Sequence, residues 1–207
     1  MKNANKQPRR WRRLGKRYTA LYASVCTRIR PRLGREMNVL ELACGTGQLS
    51  IPLCGAVRLW EATDSSPEMI VEAKKEVRSC RLYFSVQDAA CLPYADETFD
   101  AVVIGSTLHA LPDPESVLLE SFRVLKPGGL LFAPTFLCGQ SRGTRLRAYV
   151  LARISDFTVY HPWNAEDFLD FIGSHGFSVL DAPMLGARFL PLCCLAAEKP
   201  CPDATAL

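Results

Sequence analysis

Val39-Leu40-Glu41-Leu42-Ala43-Cys44-Gly45-Thr46-Gly47 is the stretch that decides the fold. A short apolar run, Asn38 to Ala43, ends in a Gly-x-Gly bend, and Gln48 to Cys54 then reads as a short helix. Glycine belongs where a backbone takes positive φ or passes close to a ligand. The helix start beyond it offers unpaired N–H groups and a positive dipole end. A bend of this kind at a strand's C-terminal edge is where open α/β sheets bind ligands. It is not a dinucleotide fingerprint, because Ser50 stands where the third glycine belongs. Glu41 beside the bend suits a cation, an ammonium or a sulfonium, better than a pyrophosphate.

The same alternation continues outward. Val57 to Thr63 reads as a second strand, ending at Asp64. Ser66 then caps a helix with Pro67 in its first turn, running to about Arg78. Leu82 to Val86 and Phe99 to Ile104 read as strands three and four, Pro114 to Leu125 as a helix, and Leu130 to Phe136 as strand five. These strands are almost continuously apolar, as a parallel sheet covered on both faces requires. Upstream, Tyr18, Leu21, Tyr22, Val25 and Ile29 form a helical stripe closed by Pro31 and Gly34. Downstream, residues 138–162 look less regular. Asn164 caps a helix over about Ala165 to His175, and Phe177 to Leu180 and Phe189 to Ala197 form an antiparallel pair with no crossover helix between them. The expectation is an α/β fold with a doubly wound sheet.

Acids close three neighbouring strands. Asp64 lies 17 residues after Gly47, where a carboxylate can accept both hydroxyls of a ribose. Asp88, just past strand three, can accept from an exocyclic amine such as that of adenine. Either acid alone suits a helix or turn cap equally well. Together with Glu41 and the bend they describe a ligand with an amino group, a ribose and an adenine.

These residues resemble the class I S-adenosylmethionine-dependent methyltransferases, in particular those similar to the ubiquinone/menaquinone biosynthesis methyltransferases. The likeness covers about residues 36–135. It rests on the first stretch above, then Thr63-Asp64-Ser65-Ser66-Pro67-Glu68-Met69, Asp88-Ala89-Ala90-Cys91-Leu92-Pro93-Tyr94, Phe99-Asp100 and Arg123-Val124-Leu125-Lys126-Pro127-Gly128-Gly129. It implies a Rossmann-like α/β/α sandwich with a seven-stranded sheet in the order 3-2-1-4-5-7-6, strand seven antiparallel. It also implies S-adenosylmethionine as cofactor and S-adenosylhomocysteine as product. In that reading Ala43, Gly45 and Gly47 pass the methionine part, Glu41 orients its amino group, and Asp64 with Ser65 holds the ribose. Met69 packs near the adenine, Asp88 and the Ala89 N–H meet its edge, Ser106 lies near the transferring methyl, and Tyr18 closes over the carboxylate. Ala43 stands where many members carry a glycine.

Length and composition set the frame. The chain has 207 residues, 48% hydrophobic and 22% charged, which suits one domain with a real core. No apolar run approaches the roughly 18 residues that span a bilayer. Nine scattered cysteines without a C-x-x-C pair, and no apolar signal segment, fit a cytoplasmic protein with buried thiols. No metal site is expected, since Cys193, Cys194 and Cys201 lack zinc spacing. Residues 1–36 carry 12 of the 25 Lys and Arg and one acid, against a net acidic remainder. The expected division is a basic arm at 1–14, one domain over 15–200 and a tail at 201–207. Within the domain lie an N-terminal helix at 15–35 and a substrate-side insertion at 138–162.

Methyl transfer from a sulfonium is an in-line displacement, so the protein mainly positions its reactants and excludes water. His109, after strand four, is the candidate general base. The leading reading is a methyltransferase acting on a small molecule. A second reading has the basic arm bind nucleic acid for an RNA methyltransferase, although Gly105-Ser106-Thr107-Leu108 carries no Asn-Pro-Pro-Tyr-like motif. A third is a non-catalytic cofactor-binding relative. Residues 9–22, with Trp11, Tyr18 and Tyr22 among arginines, can also lay the arm on an anionic membrane.

Overall fold

A computed structural model describes residues 19–154, 158–186 and 191–202. Tyr18, the basic arm 1–14 and residues 203–207 of the tail lie outside the described residues.

The strands form one mixed sheet in the order β3-β2-β1-β4-β5-β8-β6. They are β1 (Asn38–Leu42), β2 (Leu59–Asp64), β3 (Leu82–Val86), β4 (Phe99–Ile104), β5 (Leu125–Phe136), β6 (Ser178–Asp181), β7 (Met184–Leu185) and β8 (Leu192–Glu198). The first five pair in parallel, while β8 runs antiparallel to both β5 and β6. The expected order is therefore present. A two-residue β7 from the loop around Pro183 also pairs with β8, so the antiparallel strand is eighth in the chain.

Six helices flank the sheet among the described residues: α1 (Thr19–Ile29), α2 (Ser50–Leu53), α3 (Pro67–Lys74), α4 (Pro114–Val124), α5 (Arg142–Ile154) and α6 (Ala165–Ser174). Local chemistry sets their starts. The Ser66 hydroxyl accepts from the Met69 N–H, Asp113 from Ser116 and Asn164 from Asp167. Buried Lys199 closes α4 by donating to the carbonyls of Phe122 and Leu125. Helix α5 corrects the reading of 138–162 as irregular. Leu146, Tyr149 and Val150 face outward, where they do not mark a core-facing stripe.

Two apolar layers sandwich the sheet. One joins Val25 and Ile29 of α1 to Val39, Trp60 and Phe132, and the other joins Leu40 and Leu42 to Leu118 and Phe168. Because side chains alternate along a strand, Glu41 shares the face of Val39 and sits on the α1 side.

Candidate functional site

The bend after β1 is wound left-handed at alternate residues: Ala43 has φ 52°, Gly45 56° and Gly47 86°. Positive φ at Ala43 costs an L-residue roughly 1 kcal/mol, which explains a glycine preference there. A Cβ on Gly47 would lie 2.9 Å from Ile51 Cδ1 and 3.3 Å from Phe84 Cζ. A side chain at Gly47 would have to displace Ile51 and Phe84 and would sit on a left-handed backbone.

Asp64 is wired into this bend. Its Oδ2 accepts from the Gly45 N–H at 2.9 Å and its Oδ1 from the Ser66 N–H at 2.9 Å. A carboxylate has about four acceptor positions, so both oxygens keep capacity for further donors. Burial pushes its carboxyl above the usual range, against the pull of those two N–H groups. Asp88 is exposed and accepts from the Ala90 N–H at 3.0 Å. Both acids therefore cap local backbone and remain able to accept from a ligand. Ser65 and Met69 sit at the start of α3, and Ala89 follows Asp88 at the same edge.

Glu41 is buried, and its Oε2 accepts from the Trp60 indole N–H at 3.0 Å. Burial pushes its carboxyl up to about 8, with Ser50 and Trp60 pulling the other way. A cation brought near this carboxyl draws it back toward the charged form. Sequence reasoning missed Trp60, since nothing local ties it to a residue 19 positions earlier.

The β4 end has different chemistry. Gly105 passes so close to the first loop that a Cβ there would lie 2.7 Å from the Ala43 carbonyl oxygen. Ser106 takes φ 58°. Among the described residues, the buried oxygens Ser106 Oγ and Thr107 Oγ1 and the nitrogen His161 Nε2 have no hydrogen-bond partner. Such orphaned groups are costly unless a ligand satisfies them. His109 is buried edge-on to Phe136 at 5.6 Å, and burial lowers its pKa to about 4. Its carbonyl accepts from the N–H groups of Tyr160 and His161. His161 stacks on Trp163, which stacks on Phe171. The 158–163 segment is thereby anchored over the β4 edge.

A cleft of about 660 Å³ lies beside the bend, between α1 and α3, lined in part by Tyr22, Cys26, Thr46, Gly47 and Gln48. Burial raises the Cys26 and Cys138 thiols to about 11, so they behave as small apolar groups. No group of three or more His, Cys, Asp or Glu that could hold a metal occurs among the described residues. No helix among them is long and apolar enough to cross a membrane.

Comparison with known proteins agrees with this edge. Residues 40–133 match the methyltransferase domain family. The chain is 43% identical over 94 residues to the ubiquinone/menaquinone biosynthesis C-methyltransferase of Desulfotalea psychrophila, covering 44% of this chain and 38% of that protein. It is 41% identical over 97 residues to the demethylmenaquinone methyltransferase of Lactobacillus johnsonii, covering 44% and 40%. The chain thus spans about two fifths of the length of these relatives. In fold it resembles magnesium protoporphyrin IX methyltransferase from Synechocystis PCC 6803, solved with bound SAH, at a TM-score of 0.73 and 20% identity, covering 92% of this chain and 93% of that one.

Proposed function

From the match of residues 40–133 to the methyltransferase domain family, we propose that this chain is an S-adenosylmethionine-dependent methyltransferase acting on a small molecule. One observation carries the reading. Carboxylates lie in or just past the C-terminal ends of three adjacent parallel strands, β1, β2 and β3, around a bend that takes positive φ at Ala43, Gly45 and Gly47. The donor set fits the cofactor: Asp64 and Asp88 each keep free acceptor capacity, and Glu41 supplies a carboxyl whose ionisation a cation favours.

In this reading Asp64 and Ser65 hold the ribose, while Asp88, the Ala89 N–H and Met69 hold the adenine. Ala43, Gly45 and Gly47 admit the methionine chain, Glu41 orients its amino group, and Tyr18 closes over its carboxylate. S-adenosylmethionine, when bound, supplies a methyl group activated by its sulfonium. The chain's own residues then orient the acceptor and exclude water. Ser106 lies on the acceptor side. His109, kept neutral by burial, takes the acceptor's proton where it carries one. The relatives' names support a quinol-like ring as acceptor.

Titration calorimetry with S-adenosylhomocysteine tests the reading. The natural chain should bind, and Asp64→Ala should bind about 100-fold more weakly, the loss of two charge-assisted hydrogen bonds. Equal affinity in the variant would remove Asp64 from the ribose. No binding by the natural chain would end the proposal.

A further inference from the structure

We propose that α5 seats this protein on an anionic lipid surface. The described part of α5 buries only Thr144 and Ala148, two small residues one turn apart. On the opposite side Leu146, Tyr149 and Val150 are 64%, 57% and 47% exposed. They stand at i, i+3 and i+4, so they form one apolar stripe along the outside of the helix. Arg142 and Arg153, four residues before and seven after Leu146, lie on the same line, and Arg145 flanks it.

The helix has four arginines and no acid. Arg142, Arg145 and Arg153 have no acidic partner among the described residues. Arg153 instead sits 5.0 Å over the Tyr149 ring and donates to its hydroxyl at 2.5 Å. That contact holds an amphipathic aromatic beside a cation, the side-chain pairing that suits a membrane–water boundary.

Charge complementarity and shape choose the occupant. An apolar centre among arginines, on the outward face of a helix, fits anionic headgroups above an acyl boundary. Nucleic-acid phosphates match the arginines but give Leu146 and Val150 nothing to bury against. Helix α5 follows β5, which runs parallel to β4, so docking there turns the edge that holds Ser106 and His109 toward the lipid. The inference does not rest on methyl transfer, and its test uses no cofactor.

Flotation of the full chain with vesicles decides it. The protein should float with equimolar phosphatidylglycerol and phosphatidylcholine and stay behind with phosphatidylcholine alone. Leu146→Glu/Val150→Glu should cut the bound fraction about tenfold or more, with the basic arm intact and the thermal midpoint unchanged. Arg142→Glu/Arg145→Glu should weaken binding about fivefold per residue and flatten its salt dependence. Undiminished flotation of Leu146→Glu/Val150→Glu would assign binding to another segment and overturn the proposal. So would failure of the natural chain to float. Binding to single-stranded RNA that only the arginine variant loses, without flotation of the natural chain, would make α5 a phosphate-binding face instead.

Discussion

At the ends of β1, β2 and β3 the chain places carboxylates, and at the end of β4 it places hydroxyls and an imidazole. Asp64 and Asp88 accept from backbone N–H groups two residues on, and Asp64 reaches Gly45 as well. Ser106 and Thr107 leave buried oxygens without partners among the described residues. The first region presents carboxylates held in place by backbone N–H groups. The second is packed by aromatics, with polar atoms left over for whatever enters. Burial acts on both with opposite sign. It raises the Glu41 carboxyl to about 8 and lowers His109 to about 4, so each is driven toward its neutral form.

The largest expected effect falls where the two regions touch. Gly105→Ala drives a Cβ against the Ala43 carbonyl and should destabilise the fold by about 3 kcal/mol in urea unfolding. A loss under about 0.5 kcal/mol would mean the two loops move independently.

The next prediction separates the regions by pH. Glu41 holds its proton more tightly in the folded than in the unfolded chain. Its contribution to stability is therefore full below its ordinary 4.5 and is lost as pH rises to about 8. His109 works the other way: its contribution is present above 6.5 and lost as pH falls toward 4. Between pH 6.5 and 8 the thermal midpoint of the natural chain should fall, and in Glu41→Gln it should fall less. Parallel curves would place Glu41 in a wetter setting than the fold gives it.

The smallest effect needs a spectrum rather than a variant's stability. The His109 ring proton should titrate near pH 4 by NMR. Titration near the ordinary 6.5 would show an accessible imidazole and blur the distinction between the two regions.

The first region was legible along the chain because its signals are local. Strand 82–86 begins and ends where its apolar run does. Ser66 caps the helix its position announces. The second region was not, because its determinants are contacts between distant segments. His109 is fixed by residues 160 and 161, and α5 keeps Leu146, Tyr149 and Val150 outside, where core periodicity has no hold on them.

Alternating apolar runs, breakers and strand-end acids determined the order of elements and the place of the bend, since both follow from properties of neighbouring residues. Tertiary structure alone decided that Glu41 bonds to Trp60, that Gly105 abuts Ala43 and that Leu146 meets solvent. Each of these depends on sheet register and helix docking, and those are set by how the whole core packs, not by any stretch of sequence read alone.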